Sequence, residues 1–251
     1  MNTIYYPAEN EWNSLLKRSA LKTDAIQETV SSILKQIKDE GDKAVLKFEE
    51  LFDKVQLSTL QVSSSEFEEA EKEVDEELKA AILLAHRNIT TFHAAQKFET
   101  KKITTQPGVT CWQKAVGIEK VGLYIPGGTA PLFSTVLMLA TPAQIAGCKE
   151  IILCTPPNRE GKVHPAILYA AQVSGVSRIY KIGGVQAIGA MAYGTESVPK
   201  VYKIFGPGNQ YVTVAKQQVS LHDVAIDMPA GPSEVAVLAD GTANPVFVAS
   251  D

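Results

Sequence analysis

Apolar side chains recur at helical spacing through the first hundred residues, which predicts a helix-rich segment. The clearest set ends just before Gly41, a residue type that commonly follows a helix. Its members are Ile26, Val30, Ile33, Leu34 and Ile37. A second helix is predicted around residues 44–52 and a long one from residue 78 to about 96. Ser65 and Glu68 have the spacing of a capping box at the start of an acidic helix.

Beyond residue 118 the pattern changes, because short β-rich runs alternate with helical stretches. Strands are predicted at 119–125, 150–154, 178–182, 201–205 and 235–239. Helices are predicted at about 132–146, 163–174, 185–193 and 209–220. This alternation is typical of βαβ units, which build an open parallel sheet. Ligands of such sheets bind at the carboxyl ends of the strands.

Composition changes at the same place. Residues 1–100 contain 12 Lys and Arg, 19 Asp and Glu, one Gly and one Pro, whereas the remainder contains 12 Lys and Arg, 9 Asp and Glu, 16 Gly and 12 Pro. The change marks a boundary near residues 100–118.

Charge and hydropathy exclude some classes of partner. The net charge of −4 argues against nucleic acid, whose binding proteins usually carry a basic surplus. No apolar run approaches the ~18 residues of a membrane-spanning helix, so no membrane partner is expected. The three cysteines form no CxxC pair, which favours reduced thiols in a cytoplasmic protein.

Three glycine-containing turns each follow a predicted strand. They are Pro126-Gly127-Gly128, Gly183-Gly184 and Gly206-Pro207-Gly208. Glycine permits close backbone approach, and the amides at the start of a following helix attract anions. One such turn could be simple packing, but three together predict a crevice for a phosphate-bearing small molecule.

Candidate ligand contacts lie in or beside these turns and in a fourth segment at 225–235. Tyr124 could stack on or hydrogen-bond a ligand, or be a half-buried sheet residue. Gln186 offers an amide that donates and accepts, in a stretch where close helix packing is the alternative. Asn209 could bind a ligand or cap a helix. Ser233 could offer a hydroxyl, and Glu234 beside it an acid–base group or a surface charge; no GxSxG motif supports Ser233 as a nucleophile.

Metal and thiol chemistry find little support in the sequence. No HxxH, HExxH or CxxC grouping occurs, so a complete metal site is not predicted within these residues. Cys111, Cys148 and Cys154 have no identifiable neighbour that would lower a thiol pKa. An aldehyde dehydrogenase-like reaction on one of these thiols is therefore a weaker alternative.

Long collinear segments of the chain resemble histidinol dehydrogenases. They lie at 121–148, 183–199, 203–213 and 225–235, with further similarity at 88–96 and 105–109. The resemblance extends from about residue 10 to residue 251. It implies an α/β protein with a Rossmann-like, NAD-binding open-sheet domain at about 119–233. The other expected parts are an N-terminal tail at 1–20, the helix-rich first part of an incomplete α/β domain at 21–118, and the start of a return to that domain at 234–251.

The resemblance also implies an activity and its residues. The family is homodimeric and zinc-dependent, and it oxidises L-histidinol through L-histidinaldehyde to L-histidine with two NAD⁺ in sequence. Tyr124, Gln186 and Asn209 match its NAD-binding positions, and Ser233 matches a substrate-binding position. Its zinc ligands and its Glu-His acid–base pair match positions beyond Asp251, so we expect a truncated chain with no catalytic or metal residue of its own.

We expect this 251-residue chain to be inactive alone and to self-associate through unpaired sheet edges and exposed apolar surface. An assay with L-histidinol, NAD⁺ and zinc that gave normal turnover would contradict the first expectation. Light scattering that showed a monomer over a wide concentration range would contradict the second. A standalone nucleotide- or phosphate-binding module without catalysis is the alternative.

Overall fold

The computed structural model describes residues 3–17, 24–128, 130–229 and 236–250. The chain forms two compact units, one spanning Lys22–Pro229 and the other combining Met1–Leu21 with Ala230–Asp251. The strands are β1 (Lys102–Gln106), β2 (Val109–Trp112), β3 (Lys120–Tyr124), β4 (Glu150–Thr155), β5 (Arg178–Lys181), β6 (Lys203–Phe205) and β7 (Ala225–Ile226). The α-helices are α1 (Glu9–Leu15), α2 (Asp24–Glu40), α3 (Asp42–Phe48), α4 (Ser64–Glu73), α5 (Glu76–Ala94), α6 (Phe133–Ile145), α7 (Pro165–Val173), α8 (Gly184–Tyr193), α9 (Gln210–Ser220) and α10 (Pro245–Ser250).

A five-stranded parallel sheet organises the larger unit, which confirms the predicted α/β class. Its strand order is β5-β4-β3-β6-β7, and every pairing in it is parallel. The chain therefore starts in the middle of the sheet, winds to one edge, and returns to build the other side. Strands β1 and β2 form a separate antiparallel hairpin.

The strand predicted at 235–239 is wrong over its described residues, since 236–239 have no regular structure. Val237 and Leu238 are exposed there, and no described strand lies beside them to take up the backbone hydrogen bonds that a strand needs. The fifth strand of the sheet is instead β7, a short pairing with β6 in which Lys203 lies opposite Ala225.

Helices cover both faces of the sheet, and alternate strand residues point to opposite cores. Ile152 and Cys154 of β4 pack in one core with α2, α3, α8 and α9. Ile151 and Leu153 pack in the other, with α4 to α7. Burial on both faces explains why these strands are continuously apolar. Helices from the first hundred residues pack in turn on α6 to α9, the helices that cover this sheet.

The capping box predicted at Ser65 and Glu68 is wrong by two residues. The Ser63 hydroxyl accepts a hydrogen bond from the Glu66 backbone N–H at 3.3 Å, and the Glu66 carboxylate accepts one from the Ser63 N–H at 2.8 Å. The Glu66 carboxylate also forms an ion pair with the Lys181 Nζ of β5, at 3.1 Å. The sequence contains two pairs with capping-box spacing, Ser63 with Glu66 and Ser65 with Glu68. The pair that forms is the one whose glutamate also contacts Lys181 in the sheet.

The winding direction reverses between β3 and β6, where the two strand ends come very close. Gly206 follows β6 with φ of +134°, and a Cβ there would overlap the Tyr124 carbonyl oxygen. The Gly206 peptide is held on both sides, since its N–H donates to Asp227 and its carbonyl accepts from the buried Lys216 Nζ, each at 2.8 Å. Lys216 and Asp227 also form an ion pair.

Within the described ranges, every helix is too short or too polar to span a bilayer.

Gly206→Ala should destabilise the fold by ~2 kcal/mol or more, because the new methyl group meets backbone and the φ value is strained for an L-residue. Gly128→Ala is the matched control: it lies in the turn after β3, with open space where the new methyl group would stand and no strained φ. Urea unfolding of both variants measures the difference. Equal midpoints would contradict the prediction.

Candidate functional site

One large cleft lies at the carboxyl ends of the central strands, with a volume of about 1180 Å³. Drug-sized ligands bind in clefts of roughly 300–1,000 Å³, so this one has room for a dinucleotide-sized molecule. Tyr124, Gln186 and Asn209, which follow or end three different strands, all line it. The predicted meeting of these residues at one edge of the sheet is what the structure shows.

Tyr124 ends β3 and is almost completely buried beside the cleft, with 3 % of its surface exposed. Its hydroxyl oxygen accepts a hydrogen bond from the Gly184 backbone N–H at 3.0 Å. Burial raises the pKa of the phenol well above its usual value, so Tyr124 is neutral at physiological pH. The residue thus ties the turn after β5 to the end of β3.

Gln186 lies in the first turn of α8 and is 1 % exposed. Its Nε2 donates to Glu49 Oε1 at 3.0 Å and to Asp53 Oδ2 at 3.2 Å. Glu49 Oε1 also accepts the Gly183 backbone N–H at 3.0 Å. The amide of Gln186 is therefore held by two carboxyl groups, of which that of Asp53 itself lines the cleft.

Glu49 and Asp53 were missed by the sequence reasoning. They lie at the two ends of a π-helical turn, Glu49–Asp53, that directly continues α3. The second helix predicted from the sequence, around residues 44–52, includes Glu49, but the sequence analysis assigned no function to Glu49 or Asp53. A signal did exist, because Val45, Phe48, Glu49 and Phe52 follow the spacing of one apolar helix face, and a carboxylate at such a position requires a buried partner.

The pair of Glu49, which is buried, and Asp53, which is half-buried, holds a proton at neutral pH. Burial, and then the charge of Asp53, raises the pKa of Glu49 from 4.5 to about 8. Burial also raises the pKa of Asp53. The carboxyl group nearest to Gln186 is accordingly an uncharged acid over most of the physiological range.

The free energy of unfolding should fall as pH rises from about 5 to about 8. Unfolded Glu49 ionises near 4.5 whereas folded Glu49 keeps its proton until about 8, so the folded state binds more protons between these values. One such proton corresponds to a slope of at most about 1.4 kcal/mol per pH unit. Urea unfolding at several pH values should show a flatter profile for Glu49→Gln; an unchanged slope would count against the assignment.

Asn209 caps α9, as one of its two sequence interpretations predicts. Its Oδ1 accepts hydrogen bonds from the N–H groups of Tyr211 at 3.0 Å and Val212 at 3.1 Å. The amide oxygen is thus committed to the helix, and the side-chain NH₂ remains for a ligand in the cleft.

Two further features of the cleft suit a polar ligand. Helix α6 begins beside it after Leu132, an N-cap residue that offers no side-chain hydrogen bond to the first N–H groups, and it has no acidic residue in its first turn. Such a helix start favours anions. At the end of β4, Thr155 is 1 % exposed, and its hydroxyl has no hydrogen-bond partner among the described residues.

The remaining candidates are Ser233, Glu234 and the three cysteines. Ser233 and Glu234 lie outside the described residues. The thiols of Cys111, Cys148 and Cys154 are free, burial raises the pKa of the latter two, and none of the three lines the cleft. Where the chain is described, no three His, Cys, Asp or Glu side chains stand together as metal ligands.

These features define a doubly wound α/β protein with a nucleotide-sized cleft where the winding reverses. The family model described as histidinol dehydrogenase matches residues 16–251. The chain is 70 % identical to a histidinol dehydrogenase of Bacteroides fragilis over all 251 residues, which are 59 % of that protein. It is 54 % identical to one from Shigella dysenteriae, covering 96 % of this chain and 57 % of the relative.

A crystal structure of histidinol dehydrogenase from Elizabethkingia anophelis superposes with a TM-score of 0.90 at 55 % identity, covering 97 % of this chain and 56 % of that one. The chain belongs to the histidinol dehydrogenase family, whose members are oxidoreductases of histidine biosynthesis. It spans somewhat more than half the length of the relatives it matches.

Proposed function

We propose that this chain supplies the NAD⁺-binding cleft of a protein that oxidises L-histidinol through L-histidinaldehyde to L-histidine. The observation that carries the proposal is the convergence of Tyr124, Gln186 and Asn209 on one cleft in a member of this family. The chemistry supplied by the cofactor would be hydride acceptance, with one NAD⁺ for each oxidation. L-histidinol would lose a hydride and its hydroxyl proton to give L-histidinaldehyde, and the hydrated aldehyde would lose a second hydride, to a second NAD⁺, and a proton to give L-histidine.

The residues of the cleft fit this cofactor. The start of α6 would bind the negatively charged pyrophosphate, because its N-cap residue, Leu132, offers no side-chain hydrogen bond to the first N–H groups. Gln186 and the NH₂ of Asn209 would hydrogen-bond polar groups of the dinucleotide. Tyr124 would border the cofactor with its neutral ring and hold the Gly184 turn in place.

The substrate and metal parts of the proposal rest on the family resemblance. Ser233 is proposed to contact L-histidinol. On that resemblance we assign zinc binding and proton abstraction to residues that match family positions beyond Asp251. A homodimer in the cytoplasm is proposed on the same ground.

Asn209→Asp should separate the cap from the ligand contact. Aspartate keeps the oxygen that caps α9, so the unfolding midpoint should stay close to that of the wild type. The variant loses the NH₂ donor and adds a negative charge beside a diphosphate, so affinity for NAD⁺ should fall about tenfold or more. Calorimetric titration of the variant and the wild type with NAD⁺ measures this change in affinity.

Asn209→Ala is the matched control, since it removes both functions and should also lose about 1 kcal/mol of stability. Wild-type protein that does not bind NAD⁺ would refute the proposed cofactor. NAD⁺ binding that is unchanged in Asn209→Asp would remove Asn209 from the site.

A further inference from the structure

The orientation of the Gln186 amide is fixed by its neighbours. Both hydrogens of Nε2 are used by Glu49 and Asp53. The amide oxygen lies on the other side, 3.0 Å from where a Cβ on Gly184 would stand. Gly184 and Gln186 both line the cleft, so Oε1 is the atom left to face a ligand.

A flipped amide would be unfavourable at this position. Its oxygen would then face Glu49 Oε1, which already accepts the Gly183 N–H, and Asp53 Oδ2. The flipped oxygen would meet Asp53 Oδ2 with no hydrogen between them, and the single acid proton of Glu49 would have to replace two N–H donors. This would happen where Glu49 is fully buried and an unmade hydrogen bond is costly.

We propose that Glu49 is a positioning residue for cofactor binding: it holds Gln186 so that the amide presents its oxygen, an acceptor, to an N–H donor of the dinucleotide. This inference rests on the proposed binding of NAD⁺. Adenine and the carboxamide of nicotinamide both carry an NH₂ group that could be this donor. Glu49 acts through Gln186 and does not line the cleft itself.

Glu49 is suited to this role as the neutral acid. The groups that face it are Asp53 on the same turn, Gln186 and Gly183 at the start of α8, and the Tyr124 and Cys154 side chains, whose raised pKa values keep them neutral. Deprotonation above about pH 8 would place a second negative charge beneath the cleft. Affinity for a diphosphate ligand should therefore decrease as pH rises past that value.

The test compares Glu49→Gln and Glu49→Ala with the wild-type protein by calorimetry with NAD⁺ at pH 6.5 and pH 9. Glutamine imitates the protonated acid, so Glu49→Gln should retain affinity within about threefold at pH 6.5 and lose the pH dependence. Glu49→Ala should bind NAD⁺ about tenfold more weakly, which is the change in affinity expected when about one hydrogen bond is lost. Glu50→Gln, at an exposed position on the same turn, is the control and should behave as the wild type.

A second measurement needs no ligand. In ¹⁵N-labelled protein, the side-chain NH₂ of Gln186 should exchange slowly with water in the wild type and in Glu49→Gln, and should shift between pH 6.5 and pH 9 only in the wild type. The Gln186→Ala variant assigns the signal. This readout also covers the case in which Glu49→Ala fails to fold.

The outcomes separate the two proposals. A wild-type protein that does not bind NAD⁺ refutes the proposed function, and the exchange of the Gln186 amide still decides whether Glu49 holds it. Wild-type binding that is unaffected by Glu49→Ala, or a Gln186 amide that exchanges quickly in the wild type, overturns the role of Glu49 alone.

Discussion

The site depends on one constraint of parallel sheets: all strands end at the same edge, and the edge opens into a crevice only where the winding reverses. In this chain the reversal occurs between β3 and β6. The strand ends there are so close that only glycine fits at position 206. The buried Lys216 and its partner Asp227 hold this glycine peptide from both sides. The turns that follow β3, β5 and β6 are thereby brought around one volume.

Most of the fold could be predicted from the sequence because its signals are local. Helical spacing, β-rich runs and glycine turns each reflect the few residues around them, and four of the five predicted strands occur in the sheet. The failures depend on distant contacts. The strand predicted at 235–239 lacks a described neighbour, and the capping box that forms is the one whose glutamate reaches Lys181.

The candidate site could likewise be predicted only as far as local signals and sheet topology reach. Tyr124, Gln186 and Asn209 end or follow strands, so parallel topology alone brings them together. Nothing local indicates that Gln186 would lie on Glu49 and Asp53, which are more than a hundred residues earlier in the chain. A carboxylate on an apolar helix face indicates that a partner exists, but the identity of that partner depends on how α3 and α8 pack.

The carboxyl group of Glu49, which holds Gly183 and Gln186 beside the cleft, comes from the first hundred residues, and this limits how the protein can be divided into fragments. The hydrogen bonds from Glu49 to Gly183 and Gln186 span 134 and 137 positions of the chain. A shortened protein beginning near residue 118 would contain the whole parallel sheet and every glycine turn. It would nevertheless lack α2 and α3, leave the sides of α8 and α9 that they cover exposed, and leave the Gln186 amide with no carboxyl group to hold it. The sheet and the intact cleft are therefore not encoded by one separable stretch of sequence, and a fragment that contains the whole sheet does not contain the whole cleft.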